Sequence, residues 1–309
     1  MITRQLGGTD LQVSILGFGA SPLGGVFGTV TENDAQCMVH TAIDRGINLF
    51  DVSPFYGITR AETVLGDSLR GIPRDRYVLA TKVGRYDAAL FDFSAERTIR
   101  SVDESLARLR TDYIDLIQCH DIEFGSLDQV VNETIPALRT LRDRGKVRFI
   151  GITGLPLKIF PYIMDRIEVD TVLSYCHYTL YDDSLTTILP DIVERGVGVI
   201  SAAPLGMGLL TNDSPPNWHP APEKLKSACL NAARVCRDQG VDISRLALQF
   251  ALENPFISST LVGIGSPGQL ENNLDCVGTG PDEVVLKMVL DCFTSVHNMT
   301  WPSGLPENN

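Results

Sequence analysis

Residues 77–83 read YVLATKV and residues 196–201 read GVGVIS, and these two stretches decide the fold. Neither stretch alternates apolar and polar side chains, as a strand with one solvent-facing side would. Continuous runs of this kind indicate strands that are buried on both faces, which is typical of parallel sheets. An amphipathic segment of helix length, residues 94–109, follows the first run. Together they predict one strand–helix unit of a parallel sheet.

The same unit recurs eight times along the chain. The predicted strand–helix pairs are 15–20 with 33–45, 48–53 with 61–70, 77–83 with 94–109, 113–119 with 127–144, 147–152 with 157–166, 171–175 with 184–195, 197–202 with 223–252, and 260–264 with 269–276. Several of these helices should end at glycines that suit the left-handed position after the last turn; these are Gly46, Gly145, Gly196 and Gly240. Eight units without a long interruption predict a (β/α)8 TIM barrel in the α/β class, and residues 1–309 should form a single domain.

Three segments lie outside this repeat. Residues 2–6 and 11–14 flank a Gly-Gly-Thr turn and predict an N-terminal β-hairpin, which could plug one end of the barrel. Residues 212–222, NDSPPNWHPAP, predict an irregular loop after the seventh strand, on the face where barrel enzymes bind their substrates. Residues 281–296 predict an extra C-terminal helix.

A doubly wound nucleotide-binding sheet is the alternative α/β architecture. Residues 17–22, GFGASP, resemble the Gly-x-Gly-x-x-Gly fingerprint, but a proline stands where the third glycine belongs. The first acidic residue that ends a following strand is Asp51, well beyond the usual spacing of about 20 residues. Eight consecutive units also exceed the usual six strands, so the barrel is favoured.

Composition restricts the partners and the compartment. The 309 residues carry a net charge of −12, which disfavours nucleic acid and anionic membrane surfaces as partners. We see no apolar run long enough to span a bilayer and no secretory signal at the N-terminus. Seven cysteines without a Cys-x-x-Cys pair indicate reduced thiols in the cytoplasm and no metal site. No helix shows a heptad seam, which leaves a monomer or a weak homo-oligomer.

Four polar side chains stand at or just beyond the ends of three adjacent predicted strands. Asp51 and Tyr56 follow the second strand, Lys82 ends the third and His120 ends the fourth. Catalytic groups of TIM barrels lie at this end of the strands. We expect the ammonium group of Lys82 to favour the phenolate of Tyr56, Asp51 to pair with Lys82, and His120 to orient a substrate oxygen. This set suits proton exchange with an alcohol or carbonyl oxygen while a hydride moves elsewhere.

The order and spacing of these four residues, in DVSPFYG, ATK and CHD, resemble the aldo-keto reductase superfamily. Further stretches, among them GFGASPLG, RFIGITGLPL, LSYCHY, PPNWHPAP and NMTWPSG, resemble a subgroup from plant ascorbate biosynthesis. That subgroup oxidises the C1 hydroxyl of an aldose, L-galactose, to the lactone with NAD. The resemblance implies a sugar dehydrogenase with Tyr56 as general acid and base. Alternatives are a reductase of small aldehydes, a dehydrogenase of L-fucose or D-arabinose, and a non-catalytic cofactor-binding auxiliary subunit.

The resemblance also implies a set of cofactor-binding residues. These are Gly19, Ser21, Asp51, Thr153, Ser174, Pro204, Leu205, Gly206, Gly208, Leu210, Gly263, Gly265, Ser266, Gln269, Asn272 and Asn273. Two positions depart from the family pattern, because Thr153-Gly154 replaces a Ser-Asn pair and Ala202 replaces the aromatic residue that stacks on nicotinamide. No lysine or arginine occurs between Arg245 and Lys287, so a 2′-phosphate would find no charged partner there. This favours NAD over NADP.

Substrate contacts are expected from Tyr56, His120 and the residues of the surrounding loops. Candidate sugar-binding side chains are Phe55, Tyr86, Phe124, Trp218 and His219. The aromatic rings suit the C–H face of a pyranose, although they could equally be packing inside loops. His177 is as easily a core or rim histidine as a substrate contact.

Overall fold

The computed structural model describes residues 1–26, 28–213 and 215–309. Its strands are β1 Thr3–Gln5, β2 Gln12–Ser14, β3 Leu16–Gly19, β4 Leu49–Asp51, β5 Val78–Val83, β6 Ile114–Cys119, β7 Val147–Gly154, β8 Thr171–Tyr175, β9 Gly198–Ala202 and β10 Ser259–Gly263. Its helices are α1 Glu32–Asp44, α2 Arg60–Ser68, α3 Ala95–Leu109, α4 Leu127–Gln129, α5 Ile135–Asp143, α6 Ile159–Met164, α7 Leu189–Glu194, α8 Glu223–Asp238, α9 Ile243–Glu253, α10 Pro267–Leu274 and α11 Glu283–Phe293.

Strands β3 to β10 pair in parallel, each with its neighbour in sequence, and β10 pairs with β3 to close the barrel. Nearly every residue of these strands is buried, which agrees with their continuous apolar sequences. Apolar side chains fill the space between the strands and the outer helices. The predicted (β/α)8 barrel is therefore confirmed, and all the strand ends that carry the polar side chains of interest lie at one face.

The N-terminal hairpin, β1 and β2, closes the opposite end of the barrel and confirms the prediction for this segment. Leu6, Leu11 and Val13 pack in one apolar cluster with inward-facing residues of the barrel strands. The guanidinium group of Arg4 donates hydrogen bonds of 2.6 Å each to the carbonyl oxygens of Asn254 and Ile257, just after α9. The hairpin therefore covers this end of the barrel.

Three of the predicted helices are interrupted, and the one over residues 184–195 consists of a 3-10 turn, Ser184–Thr187, followed by α7. The single helix predicted over residues 223–252 is wrong, since α8 ends at Asp238 and α9 begins at Ile243. Gly240 has a φ of 72°, and the Asp242 carboxylate caps α9 by accepting from the N–H groups of Ser244 and Arg245. A π-helical turn, Val130–Thr134, divides the helix predicted over residues 127–144 into α4 and α5.

The segments around the barrel mouth are irregular. The long connection after β9 includes a short 3-10 turn, Gly206–Gly208, and extends to Pro222 at the start of α8. Ser214, which belongs to the loop predicted over residues 212–222, lies outside the described residues. The extra C-terminal helix is α11, which packs against α8. Within the described residues, no helix has the length and apolar character needed to cross a membrane.

Candidate active site

Asp51 and Lys82 form a buried ion pair at the carboxyl ends of β4 and β5. Lys82 Nζ lies 2.5 Å from Asp51 Oδ1 and donates a second hydrogen bond, of 2.9 Å, to the Val52 carbonyl oxygen. Gln118 Nε2 donates to the other oxygen of the Asp51 carboxylate at 2.8 Å. Burial alone would lower the pKa of Lys82, but Asp51 and Tyr56 outweigh it and the pKa is raised. The ammonium group therefore stays charged at neutral pH.

Tyr56 lies in the loop that leaves β4, beside this ion pair. Its ring centre is 5.0 Å from Lys82 Nζ. Burial raises the pKa of the Tyr56 phenol; the charge of Lys82 lowers it, and Asp51 and Asp121 raise it further. The net direction is upward because burial outweighs the charge of Lys82, while Lys82 itself favours the phenolate, as expected. Burial raises the pKa because it removes the water that would stabilise a phenolate. The ammonium group of Lys82 offsets part of this increase.

His120 completes the group at the end of β6. Its ring centre lies 5.7 Å from that of Tyr56, and the two rings are nearly perpendicular. His120 Nδ1 is 2.9 Å from Ser53 Oγ, and its backbone N–H donates to the carbonyl oxygen of Val83 on β5. Burial lowers the pKa of His120 to about 3, so the ring is neutral. The structure thus brings the four predicted residues together around one point at the barrel mouth.

A second ion pair, which the sequence analysis did not identify, lies beside His120. Arg85, two residues after β5, pairs with the carboxylate of Asp121, which directly follows His120. Asp121 has a left-handed backbone, with φ of 48°, and its Oδ2 lies 3.6 Å from His120 Nε2. Both residues could have been found from sequence, because each follows a barrel strand at the edge that carries the four predicted residues.

Two of the aromatic residues expected to contact a sugar, Phe55 and Phe124, pack against Arg85. Its guanidinium carbon lies 3.8 Å from the ring centre of Phe55 and 5.2 Å from that of Phe124. Tyr86 is buried, with its hydroxyl accepting from the N–H of Gly84 and its ring contacted by Arg97. The rings of Phe55 and Phe124 pack against the guanidinium group of Arg85. A ligand could contact only the parts of these rings that Arg85 does not cover.

His219 and Trp218 differ in their positions within the loop that precedes α8. His219 is buried; its Nδ1 accepts from the N–H of Ala221, so its Nε2 donates to the carbonyl oxygen of Gly206 at 2.9 Å. The ring of Trp301, in the C-terminal segment, packs edge-on against it at 5.0 Å. Trp218 is 56% exposed and stacks on His219. His219 therefore anchors the loop, and Trp218 is the more accessible of the two.

The C-terminal segment is fixed to the loop after β6 by a buried glutamate. Glu123 Oε1 accepts hydrogen bonds from Ser303 Oγ at 2.9 Å and from the N–H of Leu155 at 3.2 Å. The Glu123 carbonyl oxygen accepts from the Leu305 N–H and from Asn308 Nδ2. Burial raises the pKa of Glu123 to about 8, and the charge of Asp121 adds to the increase. Glu123 is therefore protonated at neutral pH, which the sequence gives no means to foresee.

His177 is a buried core histidine in this structure. Its Nδ1 lies 3.1 Å from Asp182 Oδ2 and 3.0 Å from Ser184 Oγ. These contacts hold the turn between β8 and α7. His177 was expected to be either a core or rim histidine or a substrate contact, and these contacts favour the core histidine.

The residues expected to bind the adenosine end of a cofactor lie where β10 enters α10. Ser266 Oγ caps the helix by accepting from the Gln269 N–H, and Gln269 Oε1 accepts from the Gly265 N–H at 2.9 Å. An added Cβ at Gly263 would lie 3.7 Å from Ser21 Oγ, so β3 and β10 border the same space. Asn272 and Asn273 follow on the same helix. These residues form one polar surface without a cationic side chain of their own.

The residues expected at the nicotinamide and pyrophosphate ends follow β3, β7, β8 and β9. Gly19 ends β3, and Pro204, Leu205, Gly206, Gly208 and Leu210 form the turn after β9. The Thr153 hydroxyl is already engaged, since it accepts from the Asp121 N–H at 2.9 Å. Ser174 Oγ is buried without a hydrogen-bond partner among the described residues. A carboxamide would supply the missing partner, so Ser174 fits a nicotinamide better than Thr153 does.

Comparisons with known proteins show which family the chain resembles over most of its length. The model of the aldo/keto reductase family matches residues 15–284. The chain is 54% identical to L-galactose dehydrogenase of Arabidopsis thaliana, over 99% of this chain and 98% of that protein. It is 29% identical to D-threo-aldose 1-dehydrogenase of a Pseudomonas species, over 86% of this chain and 89% of that protein. Among solved structures, the holo form of an aldo-keto reductase from Bacillus halodurans superposes with a TM-score of 0.79 at 27% identity, covering 100% and 99% of the two chains.

These matches extend over nearly the whole chain and include all the strands that position Asp51, Tyr56, Lys82 and His120. The eight-stranded barrel is accounted for by this family. The chain is therefore an oxidoreductase that belongs to the aldo/keto reductase family and works with a nicotinamide cofactor.

Proposed function

We propose that this protein is an NAD-dependent sugar dehydrogenase that oxidises the C1 hydroxyl of L-galactose to L-galactono-1,4-lactone. The observation that carries the proposal is the contact of Lys82 with both Asp51 and Tyr56, next to His120, at the open end of the barrel. The choice of L-galactose rests on the 54% identity to the Arabidopsis enzyme over almost the full length of both chains.

Each of the four residues has a distinct part in the proposed reaction. Tyr56 takes the proton of the C1 hydroxyl, and in the reverse direction it returns a proton to the carbonyl oxygen. Lys82 stabilises the phenolate that forms during the transfer, and Asp51 keeps the ammonium group in place. His120 orients the substrate oxygen. A nicotinamide cofactor, which Ser174 would help to hold, would supply the hydride acceptor for the oxidation and the hydride donor for the reverse reaction. Asp121, beside His120, and the exposed Trp218 are the side chains that we expect to contact the rest of the sugar.

The preference for NAD is supported by the charges around α10. No lysine or arginine lies between Arg245 and Lys287. The two arginines that contact this region have other partners, because Arg45 pairs with Glu271 at 2.9 Å and Arg245 donates to the Asp275 carbonyl oxygen. A 2′-hydroxyl can bind to neutral donors such as Gln269 and Asn272, whereas a 2′-phosphate needs cationic partners.

The proposal extends to the organisation of the protein in the cell. We propose that residues 1–309 form a single domain that acts in the cytoplasm as a monomer or a weak homo-oligomer. All seven cysteines carry free thiols, and burial raises the pKa of several of them, such as Cys119 to about 12. Thiols of this kind suit a reducing compartment.

A panel of substrates tests the proposal. Oxidation of L-galactose, L-fucose and D-arabinose is followed by the absorbance of reduced cofactor, with NAD and with NADP in parallel. We expect the highest kcat/KM for L-galactose with NAD. A higher value for another aldose would contradict the choice of sugar, and a higher value with NADP would contradict the choice of cofactor. Reduction of small aldehydes without oxidation of any aldose would replace the proposed activity with that of an aldehyde reductase.

A further inference from the structure

Ser53 contacts the His120 ring at its Nδ1 atom. The two residues are on different strand ends, since Ser53 follows β4 and His120 follows β6. Ser53 Oγ is 2.9 Å from His120 Nδ1 and also accepts a 3.1 Å hydrogen bond from the backbone N–H of Phe55. The Ser53 side chain is completely buried. Ser53 is not among the site residues that were predicted from the sequence.

The hydrogen atoms at this contact can be counted. A serine hydroxyl has one proton to donate and two lone pairs that accept. The Phe55 N–H occupies one lone pair of Ser53 Oγ, and His120 Nδ1 is the partner within reach of its proton. If Nδ1 carried a proton, the Ser53 proton would be buried without an acceptor, which is unfavourable. The contact therefore favours a His120 ring whose Nδ1 accepts and whose Nε2 carries the hydrogen.

Asp121 favours the same form of the ring from the opposite side. Its Oδ2 lies 3.6 Å from His120 Nε2, and the carboxylate is kept ionised by its pairing with Arg85. An N–H group that faces a carboxylate is attracted to it, whereas a ring lone pair in the same place would be repelled. Burial lowers the pKa of His120 to about 3, so the ring carries a single hydrogen across the physiological range.

We propose that Ser53 is a positioning residue that holds His120 in the tautomer with its hydrogen on Nε2, so that His120 donates a hydrogen bond to the reacting oxygen. In this form His120 cannot take the substrate proton, and Tyr56 alone acts as the acid and base. The catalytic consequence rests on the proposed function, while the tautomer itself is a property of the protein.

Nuclear magnetic resonance of the full-length protein labelled with 15N-histidine tests the tautomer directly. Five histidines contribute signals, and the His120→Gln variant identifies those of His120. At neutral pH we expect Nε2 protonated and Nδ1 bare in the wild type, and a mixture of tautomers in Ser53→Ala. A wild-type ring with hydrogen on Nδ1 or on both nitrogens would overturn the proposal. An unchanged tautomer in Ser53→Ala would do the same.

Kinetics supply a second readout. Ser53→Ala should lower kcat for the aldose roughly twofold to tenfold, which corresponds to one neutral hydrogen bond, and Ser53→Thr should restore most of it. The matched control is Ser184→Ala, which removes a serine hydroxyl from Nδ1 of His177 and should leave kcat and the His120 signals unchanged. A wild-type kcat in Ser53→Ala would contradict the proposal. If no aldose is oxidised by the wild type, the proposed function fails, while the spectra still decide the tautomer.

Discussion

Lys82 Nζ lies 2.5 Å from Asp51 Oδ1, and both side chains are almost completely removed from solvent. A buried ion pair adds little net stability over apolar side chains of similar volume, because desolvation of both charges offsets their attraction. The ion pair at the open end of the barrel is therefore best explained by its effect on the neighbouring Tyr56. Lys82 restrains the increase in the pKa of Tyr56 that burial causes.

Breaking this ion pair should destabilise the protein. Asp51→Asn leaves the ammonium group of Lys82 buried without a counter-charge, which costs about 3–5 kcal/mol in the free energy of unfolding. Lys82→Met should have a similar effect, because it leaves the carboxylate alone. The double variant, Asp51→Asn with Lys82→Met, should recover much of the loss but remain inactive. Equilibrium unfolding in urea measures all three.

An exposed ion pair provides the control for this experiment. Arg195 contacts Asp191 at 3.0 Å on the surface of α7, and each side chain is more than a third exposed. Asp191→Asn should change the free energy of unfolding by less than about 1 kcal/mol. Equal effects of Asp51→Asn and Asp191→Asn would contradict the account of the buried pair.

Glu123 should make stability depend on pH. The pKa of Glu123 is raised from 4.5 to about 8 in the folded chain. Between these two values the unfolded chain binds fewer protons than the folded chain, so stability falls as the pH rises. Glu123→Gln removes this titration. The Tm of the variant minus the Tm of the wild type should therefore increase as the pH is raised from about 5 to about 9.

The comparison must be made at several pH values, because Glu123→Gln also changes a hydrogen bond at every pH. Thermal unfolding of both proteins gives the difference in Tm, and its dependence on pH isolates the ionisation of Glu123. A difference that stays constant from about pH 5 to about pH 9 would mean that Glu123 is not a buried, protonated group.

Gly57 follows Tyr56 and adopts a left-handed backbone in contact with another loop. Its φ is 61°, and an added Cβ would lie 2.1 Å from the carbonyl oxygen of Gly24. Gly57→Ala must displace the turn that carries Tyr56, and kcat should fall about tenfold or more, since small misplacements of catalytic groups are costly. Gly71→Ala is the control, because Gly71 has a φ of 83° with no atom within 4 Å of the added Cβ. Equal losses of kcat in both variants would show that contact with Gly24 is unimportant.

Cofactor preference should respond to a single charge at the start of α10. Gln269→Arg places a cation beside the surface formed by Gly263, Gly265 and Ser266 and should raise kcat/KM for NADP about tenfold relative to NAD. Gln269→Leu, which removes the bond to the Gly265 N–H without adding charge, is the control. The same change in the NADP-to-NAD ratio for both variants would show that α10 does not bind the 2′ position.

The strand ends could be predicted from the sequence because a strand that is buried on both faces has a continuous apolar sequence. YVLATKV and its counterparts locate the barrel strands to within about two residues, and the order of strands then places Asp51, Lys82 and His120 at one edge. The break in the predicted helix over residues 223–252 was also present in the sequence, as Gly240 followed by the capping residue Asp242. Gly240 is among the glycines expected to end a helix, and it follows the C-terminal residues of α8 with a left-handed backbone.

The electrostatic details could not be predicted, because they depend on side-chain contacts across the barrel mouth. Whether Lys82 or burial decides the pKa of Tyr56 is a question of desolvation, which needs the packed structure. The same holds for Phe55 and Phe124, whose rings contact Arg85. An aromatic residue after a barrel strand is compatible with a sugar contact or with packing, and sequence alone does not separate the two.

The central claim is that Tyr56 exchanges the proton with the substrate oxygen, and Tyr56→Phe tests it most directly. This variant keeps the ring packed against His120 and removes only the hydroxyl group. We expect kcat for aldose oxidation to fall about 10²–10⁴-fold, while the Kd for the dinucleotide stays within about twofold of the wild-type value. A kcat close to that of the wild type would contradict the account.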